Sequence, residues 1–299
     1  MSGPQDREHF SRTALVTGAN QGLGLALIEG LAARLGPDDV VYLTGRDRER
    51  VHKAAAGICG AVAQVRPSVM DVRDDDAIQA VASAIRSEHG GIDIVLSNHY
   101  QHVLPSDKPG QVIANYVDTN NLGTTRVLRG FAPTLRPGGR LLVVASSLGT
   151  LAELPAHLHD RFDAPAGLDE IDGIIAAWRD AVIARRAPSE GWPAFINIPS
   201  KVGQVAAVRA LARSRCAQDQ CDGTLIAAVC PGMIDTSASR PWFDTSDAQT
   251  PTQAAQALLD LALDPGPNPR FYGELIRFGE IVPWDKPGQR ALAPSIVRA

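Results

Sequence analysis

The stretch Thr17-Gly18-Ala19-Asn20-Gln21-Gly22-Leu23-Gly24 decides the fold of this chain. It follows a short β-branched run and opens a segment with helical periodicity. Gly18 permits a tight turn, Gly22 lets the backbone approach a pyrophosphate, and Gly24 lets helix and strand pack closely. The free N–H groups at the start of that helix face phosphate oxygens. In a strand-turn-helix context, this spacing predicts a dinucleotide site.

Short apolar strands alternate with helical segments along the rest of the chain. Strands are predicted at Thr13–Thr17, Val40–Thr44, Gln64–Met70, Ile92–Ser97, Arg140–Ser146, Thr224–Cys230 and Gly273–Phe278, the last of the set. Helices are predicted at Gly22–Leu35, Arg46–Ala56, Asp74–Glu88, Gln111–Leu135 and Leu168–Arg185. This alternation predicts an α/β, Rossmann-type doubly wound parallel sheet with helices on both faces. We expect one domain over residues 1–299, with a helical insert at about 150–195 that packs on the domain or walls a substrate pocket.

The end of the second predicted strand indicates which dinucleotide is bound. A site for NAD usually places an acid there to bind the ribose hydroxyls. Here the sequence reads Gly45-Arg46-Asp47, and Arg46 can pair with a 2′-phosphate. The alternative is a solvated arginine at the start of a helix, with Asp47 as the acid. We expect NADP(H).

The bulk composition excludes several classes of function. The chain has 299 residues, of which 44% are hydrophobic and 21% charged, as in ordinary soluble domains. A net charge of −4 gives no reason to expect nucleic-acid or membrane partners. The polar segment at residues 1–12 lacks the apolar core of a signal peptide, so we expect a cytoplasmic protein. The cysteines are Cys59, Cys216, Cys221 and Cys230. No metal site is expected, because no cluster of further cysteines or histidines is spaced to complete a set of metal ligands with them.

Several further motifs resemble those of the short-chain dehydrogenase/reductase family, over nearly the whole chain. They are Asp71-Val72, Thr119-Asn120-Asn121-Leu122-Gly123-Thr124, Gly191-Trp192-Pro193, Lys201 and Pro231-Gly232-Met233-Ile234-Asp235-Thr236. The motif at Thr119–Thr124, the Gly191-Trp192-Pro193 motif that precedes Lys201, and the insert are similar to those of the monomeric carbonyl reductases of that family. The resemblance implies a monomer that binds a small-molecule substrate. It also implies cofactor contacts from Gly18, Asn20, Gln21, Gly22, Leu23, Gly24, Arg46, Asp71, Val72, Asn98, Lys201, Pro231, Gly232, Ile234 and Thr236.

The family's catalytic set transfers to this chain with one exception. The resemblance implies that Asn120 holds a water of the proton relay and that Ser147 hydrogen-bonds the substrate carbonyl. It implies that Lys201 binds the nicotinamide ribose and lowers the pKa of the motif tyrosine. That tyrosine, four residues before Lys201, is replaced by Asn197. An asparagine can hydrogen-bond an oxygen, but it does not titrate near neutral pH.

A second departure lies at Ser97-Asn98-His99-Tyr100, where the family usually reads Asn-Asn-Ala-Gly. Tyr100 puts a large side chain where glycine normally sits beside the cofactor. Because a strand end of this kind points toward the cofactor, Tyr100 and His99 are candidates for a substitute proton donor.

Three functions therefore remain open from the sequence. The first is an atypical NADP(H)-binding enzyme, of cyclase, dehydratase or isomerase type. In it, Ser147, Asn197 and Lys201 would polarise the carbonyl of a compound such as a biosynthetic intermediate, without a tyrosine acid. The second is a carbonyl or enone reductase with Tyr100, His99 or water as the donor. The third is a non-catalytic nucleotide-sensing protein.

Overall fold

An eight-stranded sheet forms the centre of the fold. The computed structural model describes residues 11–285, so the N-terminal segment at 1–10 and residues 286–299 lie outside the described part. The strands are β1 (Thr13–Val16), β2 (Val40–Gly45), β3 (Gln64–Val69), β4 (Ile92–Ser97), β5 (Leu135–Val144), β6 (Leu225–Val229), β7 (Leu275–Arg277) and β8 (Glu280–Val282). Their order across the sheet is β3-β2-β1-β4-β5-β6-β7-β8.

The first seven strands are parallel, which confirms the doubly wound sheet predicted from the sequence. The prediction that β7 is the last strand was wrong. Phe278 and Gly279 have φ angles of 51° and 78°, and these positive values turn the chain back on itself. β8 then pairs antiparallel with β7, so the edge of the sheet is a hairpin.

Helices cover both faces of the sheet. They are α1 (Gly22–Arg34), α2 (Arg48–Ala56), α3 (Asp75–His89), α4 (Pro109–Val117), α5 (Gly123–Phe131), α6 (His159–Asp163), α7 (Leu168–Ile183), α8 (Asn197–Asp222) and α9 (Pro251–Leu263). Every residue of β1 is buried, and its side chains alternate between two core layers. Leu15 belongs to one layer, while Ala14 and Val16 belong to the other. A strand buried on both faces reads as a continuous apolar run, which is why it was recognisable in the sequence.

The single helix predicted at Gln111–Leu135 was wrong, because the structure divides it. A π-helical turn at Asp118–Leu122 separates α4 from α5. Within this turn, the Asn120 side chain accepts from the backbone N–H of Gln101 at 2.7 Å and donates to the carbonyl of the same residue at 3.0 Å. A π turn of this kind often marks a functional site. β5 also starts earlier than predicted, since Leu135 already pairs with Ile92 of β4.

The insert contains the predicted helix, α7, which packs against α4 and α8. Its residues Ile175 and Trp178 are fully buried, so the apolar face predicted from the sequence is a packing face. Three helices were not predicted individually from the sequence: the short α6 within the insert, and the longer α8 and α9. α8 begins at Asn197 itself and ends at Asp222. It is terminated by Gly223, whose φ of 68° is left-handed. The motif asparagine and Lys201 therefore lie on the first turns of one long helix.

Candidate active site

The glycine-rich loop has the geometry that its spacing predicts. Gly18 and Gly22 have φ angles of 60° and 56°, in the left-handed region that favours glycine. A Cβ on Gly24 would lie 2.5 Å from the Gly18 carbonyl oxygen, so the start of α1 packs directly on the loop. Asn98 stabilises the loop, because its Nδ2 donates to the Thr17 carbonyl at 3.1 Å and to the Gly18 carbonyl at 3.3 Å. The backbone amides at the start of α1 are thus held in place for an anion.

A cavity of about 370 Å³ adjoins this loop at the carboxyl ends of the strands. Its lining includes Gly18, Asn20, Gln21, Gly45, Arg46, Asp47, Arg50, Met70, Asp71, Val72, His99, Tyr100, Gln101, His102 and Thr119. Leu23, by contrast, is buried in the core layer beneath α1. Open sheets of this kind bind ligands in such a crevice. The lining fits the adenosine half of a dinucleotide, because it combines glycine backbone, cationic side chains and the Asp71-Val72 pair.

The charged side chains of the cavity have different partners. Asp71 forms a two-point ion pair with Arg73, at 2.7 Å for the shorter contact, and this pair lowers the pKa of the Asp71 carboxyl. Asp47 caps α2 by accepting from the Arg50 backbone N–H at 3.0 Å. Arg46 is exposed at the mouth of the cavity and forms no ion pair within residues 11–285. Arg46 is therefore the cation available to a bound phosphate.

His99 lies under the glycine loop and not beside Asn197. Its Nδ1 contacts Thr17 Oγ1 at 2.8 Å, and that oxygen also accepts from the backbone N–H groups of Asn98 and His99. Because Thr17 Oγ1 already accepts two protons, its own proton is directed to Nδ1, and the imidazole carries hydrogen on Nε2. Burial lowers the pKa of His99 to about 4, so the ring is neutral at physiological pH. These contacts indicate a structural role for His99.

Two tyrosine hydroxyls meet the side chain of Asn197. Tyr100 donates to Asn197 Oδ1 at 2.8 Å, and Tyr116 donates to the same oxygen. The two rings contact edge to face, with centroids 6.2 Å apart. Tyr116 is fully buried, whereas 37% of Tyr100 is exposed. The structure thus places the phenol of a partly exposed side chain beside the one position of the motif that lacks it.

Tyr116 is a site residue that was not found from the sequence. It lies on α4, and burial raises the pKa of its hydroxyl well above the usual value. Its contact with Asn197 spans 81 residues of sequence, so no local pattern encodes it. One signal was present: Tyr116 precedes Asn120 by four residues, a spacing that puts two residues on one face of a helix.

Lys201 lies one turn beyond Asn197 on α8 and approaches the same phenol. Its Nζ is 5.1 Å from the centroid of the Tyr100 ring, a cation–π distance. Burial lowers the pKa of Lys201 to about 8, and burial also raises the pKa of Tyr100. At neutral pH the pair is therefore an ammonium next to a protonated phenol.

Ser147 lies close to α8, because a Cβ on Gly149, two residues further on, would lie 2.9 Å from the Lys201 carbonyl oxygen. The Ser147 backbone N–H donates to Cys230 Sγ at 3.2 Å, and Cys230 directly precedes the Pro231-Gly232 motif. Gly232 has a φ of 84°, and Gln249 anchors this segment by donating to the Pro231 carbonyl at 3.1 Å. Beyond the motif, Ile234 bridges to Gln249 and Thr236 caps a turn through Ser239. The chain thus brings Ser147, the Pro-Gly segment and α8 to one place.

Asn120 is completely buried, and its polar groups already have protein partners. Besides the two side-chain bonds to Gln101, its carbonyl accepts from Gln204 Nε2 and from Thr124 Oγ1, both at 2.8 Å. These contacts join the π turn, the segment after β4 and α8. The geometry supports a bracing role for Asn120, and its water-holding role stays a prediction.

Comparison with known proteins places this site in a family. A family model described as short chain dehydrogenase matches residues 12–156. Carbonyl reductase (NADPH) 1 of Homo sapiens is 30% identical over 270 residues, covering 87% of this chain and 95% of that protein. The chain belongs to the short-chain dehydrogenase family. Carbonyl reductase (NADPH) 1 of Mus musculus is 28% identical over 276 residues, covering 91% and 98% of the two chains.

Two solved structures agree with the fold of this short-chain dehydrogenase. Salutaridine reductase from Papaver somniferum has a TM-score of 0.73 at 20% identity and covers 88% of this chain and 99% of its own. Menthone neomenthol reductase from Mentha piperita has a TM-score of 0.71 at 21% identity, with coverages of 90% and 99%. Membership of this oxidoreductase family confirms the resemblance found in the sequence. No helix in the described part of the chain is both long and apolar enough to cross a membrane.

Proposed function

We propose that this short-chain dehydrogenase is an NADPH-dependent carbonyl reductase in which Tyr100 replaces the motif tyrosine as proton donor. One observation carries the proposal: the Tyr100 hydroxyl lies 2.8 Å from Asn197 Oδ1, with Lys201 against its ring. The phenol that is missing from position 197 is thereby supplied from the end of β4. The relatives named as NADPH-dependent carbonyl reductases support the reaction class.

The adenosine end of the cavity supports NADP(H) over NAD(H). Arg46 is free to form a charge-assisted pair with a 2′-phosphate. Asp47, the acid that would suit ribose hydroxyls, is engaged as the N-cap of α2 and lies 3.8 Å from the Arg50 guanidinium. Asn20 and Gln21 complete the phosphate side of the cavity. These contacts favour a phosphate at the 2′ position.

The residues around Tyr100 can complete a carbonyl reduction. A bound reduced nicotinamide would supply the hydride for the new C–H bond at the carbonyl carbon. As the π electrons of the carbonyl move to its oxygen, the Tyr100 O–H bond breaks and its proton passes to that oxygen. The Lys201 ammonium stabilises the resulting phenolate, and Tyr100 is reprotonated before the next turnover. Ser147 Oγ and Asn197 Nδ2 are donors for the carbonyl oxygen during this step.

The first alternative, a reaction without net redox change, has less support. The relatives and neighbours named above all carry the names of reductases. That alternative was based on the absence of a phenol at position 197, and the phenol of Tyr100 lies beside that position. His99 is a weaker donor than Tyr100, because it is neutral, buried and bonded to Thr17.

The test is NADPH oxidation, followed by absorbance, with acetophenone, cyclohexanone, 2,3-butanedione and 2-cyclohexenone, and with NADH as the comparison cofactor. We expect Tyr100→Phe to lower kcat by about 10²–10⁴-fold, the usual contribution of general acid catalysis. Tyr42→Phe is the matched control, because the Tyr42 hydroxyl contacts His89 Nε2 at 2.9 Å and Tyr42 is not part of the cavity lining. Undiminished turnover by Tyr100→Phe would exclude this donor. Product formation without NADPH consumption would favour the non-redox alternative.

A further inference from the structure

The amide of Asn197 has an unusual environment, because both of its carbonyl lone pairs receive phenolic protons. Tyr100 approaches Oδ1 from the end of β4, and Tyr116 approaches it from α4. A carbonyl oxygen has two acceptor positions, so these two contacts saturate it. Asn197 is itself 9% exposed and begins α8, which fixes the base of its side chain.

The Tyr116 hydroxyl determines which way this amide faces. Tyr116 is fully buried, so its proton has no access to solvent as an alternative acceptor. If the amide turned over, Nδ2 would face Tyr116 and the phenolic proton would have to turn from Oδ1 to a neighbouring side chain, Ser200 or Tyr100. Two donors that face each other in a buried site are unfavourable, so the turned amide is disfavoured. The buried phenol therefore holds Oδ1 inward.

The other end of the amide, Nδ2, then faces outward. Within residues 11–285, Nδ2 has no hydrogen-bond partner, yet it is not among the buried polar atoms that lack one. It therefore retains contact with solvent. Because Nδ2 and Oδ1 belong to one amide, this N–H₂ group lies within a few ångströms of the Tyr100 hydroxyl. The single proton of Tyr100 is donated to Oδ1, so it reaches a substrate oxygen beside Nδ2 when the hydroxyl turns away from Oδ1.

We propose that Tyr116 is a positioning residue that holds the Asn197 amide so that Nδ2 hydrogen-bonds the substrate's carbonyl oxygen while Tyr100 protonates it. The inference rests on the proposed function. It assigns a use to the asparagine that replaces the motif tyrosine: Asn197 binds the oxygen and Tyr100 supplies the proton. Tyr116 contacts neither substrate nor cofactor and acts only through Asn197.

Two variants separate orientation from donation. Tyr116→Phe removes the hydroxyl that orients the amide, and we expect kcat to fall about 10-fold or more, as for a small misplacement of a catalytic group. Asn197→Asp keeps acceptors for both phenols, which preserves their packing, but it removes the N–H₂ donor. We expect Asn197→Asp to lower kcat by about 10²–10³-fold, as for loss of one oxyanion donor. Tyr42→Phe again serves as the matched control, and NADPH affinity is expected to stay unchanged in all three variants.

A spectroscopic measurement distinguishes positioning from general destabilisation. The ketone of the panel with the highest turnover, labelled with ¹³C at its carbonyl, is bound to the protein with NADP⁺, and its C=O stretch is recorded by infrared difference spectroscopy. We expect a shift to lower frequency in the native protein and a smaller shift in Tyr116→Phe and Asn197→Asp. An unchanged stretch and unchanged kcat in Tyr116→Phe would overturn the inference. If Tyr116→Phe does not fold, a native-like stretch in Asn197→Asp overturns it instead.

The failure of this inference is distinguishable from failure of the proposed function. If Tyr100→Phe loses activity while Tyr116→Phe and Asn197→Asp retain it, the reductase stands and the positioning role is refuted. If no ketone of the panel causes NADPH oxidation in the native protein, the proposed function fails and the positioning role fails with it.

Discussion

Restoring the motif tyrosine by Asn197→Tyr is expected to fail unless Tyr100 is removed at the same time. The space beyond Asn197 Oδ1 is taken by two phenols, Tyr100 at 2.8 Å and the buried Tyr116. A tyrosine at position 197 would direct its ring into both of them. The double variant Asn197→Tyr/Tyr100→Gly removes one phenol and recreates the arrangement that the family usually has.

The magnitude for the single variant follows from two contributions. Overpacking a filled site costs about 1–3 kcal/mol, and leaving the Tyr116 hydroxyl without an acceptor costs about 1–3 kcal/mol more. The sum, about 2–6 kcal/mol, is a large part of the roughly 5–15 kcal/mol free energy of unfolding of an ordinary domain. At an unfolding entropy of about 2.1 cal/mol/K per residue, it lowers the Tm of a 299-residue chain by roughly 3–10 °C.

Removal of the Tyr100 ring should restore part of the free energy of unfolding that Asn197→Tyr loses. Because the two positions are in contact, we expect a coupling energy of about 0.5–3 kcal/mol between them, so the double variant should be more stable than Asn197→Tyr alone. It should also turn over ketones, whereas Asn197→Tyr should not exceed the native activity. The assay is thermal unfolding of the native, single and double variants, with NADPH oxidation measured on each. Additive changes in stability, or higher ketone reduction by Asn197→Tyr alone, would refute the reasoning.

Three further perturbations test the site. Because the pKa of Lys201 is lowered to about 8, its ammonium is present below that pH and lost above it. The pH profile of kcat/KM should therefore fall by about tenfold per unit above pH 8, and Lys201→Arg, which stays charged, should move that fall to higher pH. Arg46→Ala should weaken NADPH binding by about 10–100-fold in a fluorescence titration and leave NADH binding unchanged, since a charge-assisted hydrogen bond is worth about 1.5–3 kcal/mol. Gly24→Ala should reduce the affinity for both nucleotides, because its Cβ would lie 2.5 Å from the Gly18 carbonyl, whereas Gly266→Ala, with open space around it, should not.

The parallel strands were predictable because each is encoded by its own residues. A strand buried on both faces must be apolar along its length, so its sequence carries the signal without reference to any partner. The start of α9 is also encoded locally, by the capping box of Thr250 and Gln253 before an apolar helix. The hairpin strand β8 has only three residues, which is too short for alternation to be read.

The division of the helix at Asn120 was not predictable in the same way. The sequence from Gln111 onward keeps a helical period, and nothing in it requires a wider turn. The π turn accompanies two hydrogen bonds between Asn120 and the backbone of Gln101, a residue on the segment that leaves β4. Such a contact exists only when the sheet has placed that segment beside the helix.

The sequence by itself determined the nucleotide loop, the positions of the parallel strands along the chain and the loss of the motif tyrosine at Asn197. Those features depend on residues that are neighbours in the chain, where glycine geometry and apolar periodicity act locally. Only the tertiary structure decided that Asn197 lies between two phenols. Tyr100 and Tyr116 stand 97 and 81 residues away from it, and their hydroxyls reach its oxygen because the end of β4, α4 and the start of α8 pack together. Because Tyr116 is buried, its hydroxyl donates to this amide instead of to solvent, a constraint that no stretch of sequence contains.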